Sequence, residues 1–441
     1  MTKSLGLPPA RRAALDALAL TLPESGPGRD VQAALDTVLA ARRLDPRDRG
    51  LATELVYGCL RLRGRLDYIL SRFLKNPAGV PEPVRRILTL AAYEILYLSK
   101  VPAYASVDWA VSAVREAAGK GLSGMANAVL RRLATAAESL DDPGFYRAGR
   151  SDEVTFLSRF YSCPDWIVSL WLGDHGPADT RLLLEGQLRA APLGLRVNRT
   201  KPGAKALFDA LSGLPGVALA AFPTLALPAG TDFSPAGMDL PSLLAQGLVS
   251  RQSAAAQLLL AGLDLADWPE PIFDACAGRG GKTLALAEAG KRVFAADVHP
   301  GRLSGLAGEL TRLGLPAVPT FRASATRPPL RTAPGTILLD APCSGLGVLS
   351  RRPDSKWRRL PEDLPGLARL QGAMLEAAYA ALAPGGHLVY MTCTVNRAEN
   401  EGVVDRLGRR HRRLNLVAET PARPDPVLGE VFYGAVLKKT G

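Results

Sequence analysis

Two cysteines stand directly beyond runs that read as buried strands. Thr336-Ile-Leu-Leu-Asp340 leads through Ala341 and Pro342 to Cys343, and His387-Leu-Val-Tyr-Met-Thr392 leads to Cys393. A thiolate is a strong nucleophile once its pKa is lowered, and open parallel sheets hold their ligands at strand ends. Two thiols so placed in one α/β domain predict covalent chemistry. Taken singly, a cysteine at a strand end is more often a small buried hydrophobe, and Cys59, Cys163 and Cys276 are assigned that role. At Cys343 the preceding Pro342 rigidly presents its neighbour.

A second constellation precedes the thiols. Asp274-Ala-Cys-Ala-Gly278-Arg-Gly280-Gly281-Lys282-Thr283 follows a predicted strand and opens a predicted helix, and Asp297 closes the next strand. Glycines let the backbone approach a ligand, and an acid at that distance can hold a ribose through both hydroxyls, so a nucleoside-bearing cofactor is implied. The string Gly280-Gly281-Lys282-Thr283 has the tail of a phosphate-binding P-loop, but Cys276 occupies the position of the required first glycine. The glycines also miss the dinucleotide register. S-adenosylmethionine, which carries ribose and adenine without a phosphate, is the better candidate.

These groups need a scaffold. From about Gln246 onward short apolar strands alternate with amphipathic helices, predicting a doubly wound, Rossmann-like parallel sheet over 246–441. The run Val431 to Leu437 is expected to add an antiparallel closing strand. Before it, residues 1–140 repeat apolar side chains at three and four spacing, as in Leu51, Leu55, Val56 and Leu60, and predict an all-helical domain. Breaks are expected at Pro46, at Asn76 to Gly79, at Val101-Pro102 and at Gly119 to Gly124. Between the two, 141–245 reads as a small α+β module with a strand at Gly194 to Asn198.

Composition bounds the rest. The 441 residues exceed one ordinary core, and a 47% hydrophobic, 22% charged composition is that of a globular chain. Five cysteines, none in a C-x-x-C spacing, exclude a disulfide framework and structural zinc and suit a reducing cytoplasm; His175, His299, His387 and His411 form no cluster, so no metal is expected. No run approaches a membrane span. The net charge is +12, and residues 1–140 hold 20 Lys or Arg against 13 Asp or Glu, which favours a polyanionic partner or, more blandly, a solvated basic face. Trp357 with Arg351, Arg352, Arg358 and Arg359 reads either as an RNA clamp or as a solvated helix start. The run Arg409 to Arg413 reads as basic surface.

At this point the residues carry a family pattern. Asp340-Ala-Pro-Cys343-Ser-Gly, continuing through Arg351-Arg-Pro-Asp-Ser-Lys-Trp357, and Tyr390-Met-Thr-Cys393-Thr-Val-Asn-Arg-Ala-Glu399-Asn400-Glu401 resemble the Fmu/Sun-type RNA (cytosine-5)-methyltransferases. Glu54-Leu-Val-Tyr57-Gly58, Ala92-Tyr93-Glu94, Val101-Pro102-Ala103-Tyr104 and Asn127 to Arg132 resemble a NusB-type RNA-binding domain, and Ala191 to Asn198 with Gly247 to Ala254 fit the same order. The resemblance implies S-adenosylmethionine-dependent methylation of a ribosomal RNA cytosine, most simply in the small subunit, by a cytoplasmic monomer without metal. It gives Cys393 the role of nucleophile, Cys343 that of releasing the enzyme thiol, and Asp340 that of bonding the pyrimidine. The cofactor would be held by Ala277, Gly278, Arg279, Gly280, Gly281, Lys282, Asp297, Arg302 and Asp340. Two positions depart from the family: Arg279 replaces a usual proline, and Arg322-Ala323-Ser324-Ala325 lacks the usual acid that contacts the adenine amine, so Ser324 is the candidate to hold the cofactor there with its hydroxyl. Three other readings stay open: exchanged cysteine roles, a DNA methyltransferase, and a non-catalytic RNA-binding assembly factor.

Overall fold

A computed structural model describes residues 7–147, 149 and 152–441, so the first six residues of the expected helical domain lie outside the described residues. By packing, the chain forms two compact units. One comprises residues up to Leu188 together with Arg352–Arg359; the other comprises Arg189–Arg351 with Leu360–Gly441.

The first unit is helical throughout, with its main helices at Pro9–Thr21, Val31–Ala41, Pro46–Phe73, Glu82–Tyr97, Ala103–Ala136, Glu153–Tyr161 and Asp165–Leu188. Asp30, Asp45 and Asp152 cap three of them by accepting from the backbone N–H three residues on, which satisfies donors that a helix start leaves unpaired. Gly58 is needed for close packing, since a Cβ there would fall 2.0 Å from the Tyr93 ring. The break expected near Gly119 is a kink: Gly119 takes φ 84° inside one long helical run. Helices Glu153–Tyr161 and Asp165–Leu188 belong here by packing, although residues 141–245 were expected to form one mixed module. Their apolar residues Phe156, Leu157, Ile167, Val168 and Trp171 are buried, the Gly64 N–H donates to Ser162 Oγ at 3.0 Å, and the nearby Arg65 Nε donates to the Tyr146 hydroxyl at 2.7 Å.

The octapeptide Arg352–Arg359 is part of this unit although it lies between two segments of the other. Asp354 accepts from the Val31 N–H at 3.3 Å, and Trp357 Nε1 donates to the Leu60 carbonyl at 2.6 Å. Arg358 bonds Asp354 and the Gly28 carbonyl. Trp357 is thus partly buried against the helices, while Arg358 bonds its neighbours from an exposed position. Lys356 is fully buried, donating to the Arg61 carbonyl at 2.9 Å and to Gln187 Oε1 at 2.6 Å.

The second unit holds two sheets. The strands β1 (Leu193–Val197), β2 (Leu219–Ala221), β3 (Thr224–Leu227) and β4 (Val249–Arg251) form a small antiparallel sheet in the order β2-β3-β1-β4. The mixed module therefore runs past residue 245, because β4 must pair with β1. The large sheet consists of β5 (Ile272–Asp274), β6 (Val293–Asp297), β7 (Thr320–Arg322), β8 (Thr336–Asp340), β9 (His387–Thr392), β10 (Leu414–Thr420) and β11 (Tyr433–Lys439). Its order is β10-β11-β9-β8-β5-β6-β7, parallel from β7 through β9 and closed by antiparallel β11 and β10. This is the expected doubly wound fold, and β11 is the expected closing strand. The chain runs outward from β5 to β7 and then restarts on the other side at β8, so the order reverses between β5 and β8, where such sheets open a ligand crevice. Among the described residues no helix is long and apolar enough to cross a membrane.

Burial pulls the Lys356 pKa down to about 7, from an ordinary value of 10.5. Between those values the unfolded chain binds a proton that the folded chain does not, so stability rises with pH across that window. Below about pH 7 the folded protein carries the whole cost of the buried charge. The thermal midpoint of Lys356→Met minus that of the wild type is therefore expected to be most positive near pH 6 and to fall steadily toward pH 10 in calorimetric scans. A difference independent of pH would show that Lys356 is not buried as an ammonium.

Candidate active site

The cluster is built on neighbouring parallel strands. β8 pairs with β9 so that Asp340 faces Met391, which sets Cys343 and Cys393, fifty residues apart in the chain, beyond adjacent strand ends. Their sulfurs lie 3.3 Å apart. Cys343 is buried and Cys393 is partly exposed. The Cys343 pKa is pushed well above its ordinary value, first by its hydrogen bond to Cys393 and then by burial.

Asp340, at the end of β8, pairs with Lys282 at 2.5 Å between Oδ2 and Nζ. Burial alone would lower the Lys282 pKa, but the Asp340 carboxylate and the nearby Cys393 raise it above its usual value, so the ammonium is kept. Lys282 sits in the first turn of the helix Gly281–Glu288, within electrostatic reach of Cys393. Asp274, at the end of β5, accepts from Thr283 Oγ1 at 2.6 Å and from the Cys276 N–H at 3.3 Å. Burial raises its pKa to about 6. Cys276 has its pKa raised, chiefly by burial, in keeping with the inert role assigned to it.

The glycine loop forms as the sequence requires. Gly278 and Gly280 have φ of 58° and 90°, and a Cβ on Gly280 would meet Leu306 at 2.3 Å. Only glycine combines that φ with that contact. Ala277 donates its N–H to the Ala296 carbonyl at 2.9 Å, which ties the loop to β6. Asp297 Oδ2 accepts from the Gly278 N–H at 2.9 Å and Oδ1 from the His299 N–H at 2.8 Å, leaving the carboxylate aimed along the loop. Arg302 lies 3.8 Å from Asp297 and Arg279 is exposed. Ser324 follows β7, where Ala323 donates to the Asp297 carbonyl, but its hydroxyl shares a 2.8 Å bond with Thr326 in a local turn.

The structure thus brings Cys343, Cys393, Asp340 and Lys282 together, and groups Ala277, Gly278, Gly280, Gly281, Asp297 and Arg302 around the neighbouring strand ends. Several supporting residues carried no sequence signal of a role. Arg196 on β1 makes two 2.9 Å bonds to Glu288, both side chains being buried, and donates at 3.1 Å to the Gly281 carbonyl, where Gln252 also donates. Glu399 was visible only as one letter of a motif, yet it is fully buried between the two cysteine loops. A single acidic residue in a polar stretch does not announce burial; only its partners do.

A family model described as "16S rRNA methyltransferase RsmB/F" matches residues 263–427, and the NusB family model matches residues 8–135. The probable ribosomal RNA small subunit methyltransferase B of Synechocystis sp. is 36% identical over 394 residues, covering 86% of this chain and 84% of its own. The ribosomal RNA small subunit methyltransferase B of Vibrio cholerae is 34% identical over 417 residues, covering 91% and 92%. Among solved structures, PH0851 superposes with a TM-score of 0.72 at 22% identity, covering 99% of this chain and 100% of its own, a likeness of fold.

The 3.3 Å sulfur separation predicts easy cross-linking. Hydrogen peroxide should oxidise the more exposed Cys393 thiol to a sulfenic acid with release of water, and the Cys343 sulfur should then displace a second water to form a disulfide. Intact-mass measurement should show loss of two hydrogens, reversed by dithiothreitol. In Cys343→Ala the same treatment should add oxygen to Cys393 instead. If the wild type accumulated only oxygen adducts, the sulfurs would not be in reach of each other.

Proposed function

The chain belongs to the 16S rRNA methyltransferase RsmB/F family, and from that premise we propose that it methylates carbon 5 of a cytosine in small-subunit ribosomal RNA, using S-adenosylmethionine and a covalent enzyme–base adduct. The observation that carries this reading is the pair of sulfurs 3.3 Å apart beside a Lys282–Asp340 ion pair. Carbon 5 of cytosine is too weak a nucleophile to take a methyl group directly. Addition of the Cys393 sulfur to carbon 6 makes it an enamine carbon, which is reactive enough.

Each residue then has a task. The Lys282 cation favours the thiolate of Cys393 through space, as the mutual influence of the two groups implies. Asp340 bonds the pyrimidine ring or its exocyclic amine as electrons move into the ring. The bound cofactor supplies an electrophilic methyl on sulfur. After methylation, the proton on carbon 5 leaves to a base, the double bond between carbons 5 and 6 re-forms, and Cys393 departs as thiolate. Cys343, within contact distance of Cys393 and held as a neutral thiol, assists that elimination by donating a hydrogen bond to the departing sulfur, while water takes the carbon 5 proton. The donor set fits the cofactor: Gly278 and Gly281 leave open backbone in the loop, Asp297 can receive ribose hydroxyls, and Arg302 and Lys282 flank it. Ser324 can offer its hydroxyl near the adenine amine, and exposed Arg279 can cover the loop. A target base must reach two recessed thiols, so it comes from a loop or is turned out of its stack. The basic surplus of residues 1–140 suits an RNA partner. The chemistry calls for neither a metal nor a second copy, and a ribosomal substrate suits a cytoplasmic enzyme.

Cys393→Ala should reduce methyl transfer by at least about 10³-fold, whereas Cys343→Ala should bind RNA covalently in a complex that survives a denaturing gel. The opposite pattern would exchange the roles, and adducts in neither variant would refute the covalent route. Asp297→Ala should weaken S-adenosylmethionine by roughly tenfold or more, about 1.4 kcal/mol, in calorimetric titration, since two ribose hydroxyls lose their acceptor. Unchanged affinity would place the ribose elsewhere.

A further inference from the structure

We propose that Glu399 is a positioning residue that sets the spacing of the two cysteine sulfurs and thereby the rate at which the methylated base is released. This deepens the two-cysteine reading and rests on it. Glu399 is fully buried, and its carboxylate gathers donors from both cysteine loops. Oε2 accepts from the Ser344 N–H, the residue after Cys343, at 2.9 Å and from Gln371 Nε2 at 3.0 Å; Oε1 accepts from Asn396 Nδ2, just past Cys393, at 2.8 Å. Asn396 Nδ2 also donates to Ser344 Oγ at 3.0 Å, and Ser344 Oγ shares a 2.7 Å bond with Thr394 Oγ1. Gln371, on the helix Asp363–Ala381, also donates to the Pro342 carbonyl at 3.0 Å, so the same amide holds the residue before Cys343. The backbone of Glu399 is itself fixed, its carbonyl accepting from the Tyr390 hydroxyl at 2.7 Å.

The chemistry of these partners explains the choice of a carboxylate. Three N–H donors converge on two oxygens, and only an ionised acid has acceptor capacity on both without presenting a hydrogen. An amide there would turn an NH2 toward one of the donors, so one side of the clasp would open. Burying the charge is costly and is offset only because its hydrogen bonds are complete. That cost has a return at the reacting atoms: the negative charge also favours the protonated form of Cys343.

The test separates spacing from catalysis. In full-length enzyme, Glu399→Gln should cut the yield of the peroxide-driven Cys343–Cys393 disulfide by at least about fivefold and slow decay of the covalent RNA adduct by at least about tenfold. S-adenosylmethionine affinity should stay unchanged, because the described hydrogen bonds of Glu399 go to Ser344, Gln371, Tyr390 and Asn396, none of them a proposed cofactor residue. Glu399→Asp, which keeps both acceptors but is one methylene shorter, should restore part of both. If Glu399→Gln fails to fold, Glu399→Asp carries the test alone, with the same two quantities expected between wild type and loss. Wild-type disulfide yield and adduct decay in either folded variant would overturn the proposal, as would a parallel loss of cofactor affinity, which would mark a general structural role. If Cys343→Ala formed no adduct, the two-cysteine reading would fail, yet the disulfide yield would still decide whether Glu399 sets the spacing.

Discussion

Everything in the reactive cluster depends on the parallel pairing of β8 with β9. In a parallel pair the strands end on the same side, so residues beyond two such ends are neighbours however long the intervening chain. Here the Asp340–Met391 register brings two sulfurs into contact and leaves Asp340 facing the helix that carries Lys282. A slip of one residue would turn every side chain of β9 to the opposite face and take Cys393 out of the site. The reversal of strand order between β5 and β8 lies beside these strand ends, at the position where such sheets open a ligand crevice.

The site is held by charges removed from water. Arg196 and Glu288 fix the small sheet to the helix of the cofactor loop, Asp274 ties β5 to that helix through Thr283, Lys282 pairs with Asp340, and Glu399 clasps the cysteine loops. Such groups are weak sources of stability, because desolvation offsets most of their attraction. They are strict about geometry, since a displaced partner leaves an uncompensated charge. Apolar packing tolerates half an ångström; a site that must hold two sulfurs at a fixed spacing does not. Lys356 illustrates the same trade in the helical unit, where a buried amine with its pKa lowered to about 7 donates to neutral oxygens and holds one short stretch of chain in place.

Much of the architecture was legible in the chain. The alternation of apolar runs and amphipathic helices identified the wound sheet, the glycines and the distant aspartate were legible as a loop on adjoining strand ends, and the run from Val431 announced the closing strand. Strand β10 gave no such signal: it is an edge strand whose Leu416 and Val417 are exposed, so no apolar face repeats along it. The helices of residues 153–188 and the octapeptide around Trp357 were read by their place in the chain, whereas burial assigns them to the helical unit. Arginines beside a tryptophan carry the same letters whether they meet solvent or packed backbone.

The sequence by itself determined what is local: hydrophobic period, loop flexibility at Gly278 and Gly280, the nucleophile types, and motifs specific enough to assign a family. Tertiary structure alone decided distance. That Cys343 and Cys393 touch, that Lys282 reaches Asp340, and that Glu399 joins the two cysteine loops all follow from strand pairing and burial between residues far apart in the chain. Propensity and spacing act over a few residues. Contact order and desolvation are properties of the folded whole, and no single segment contains them.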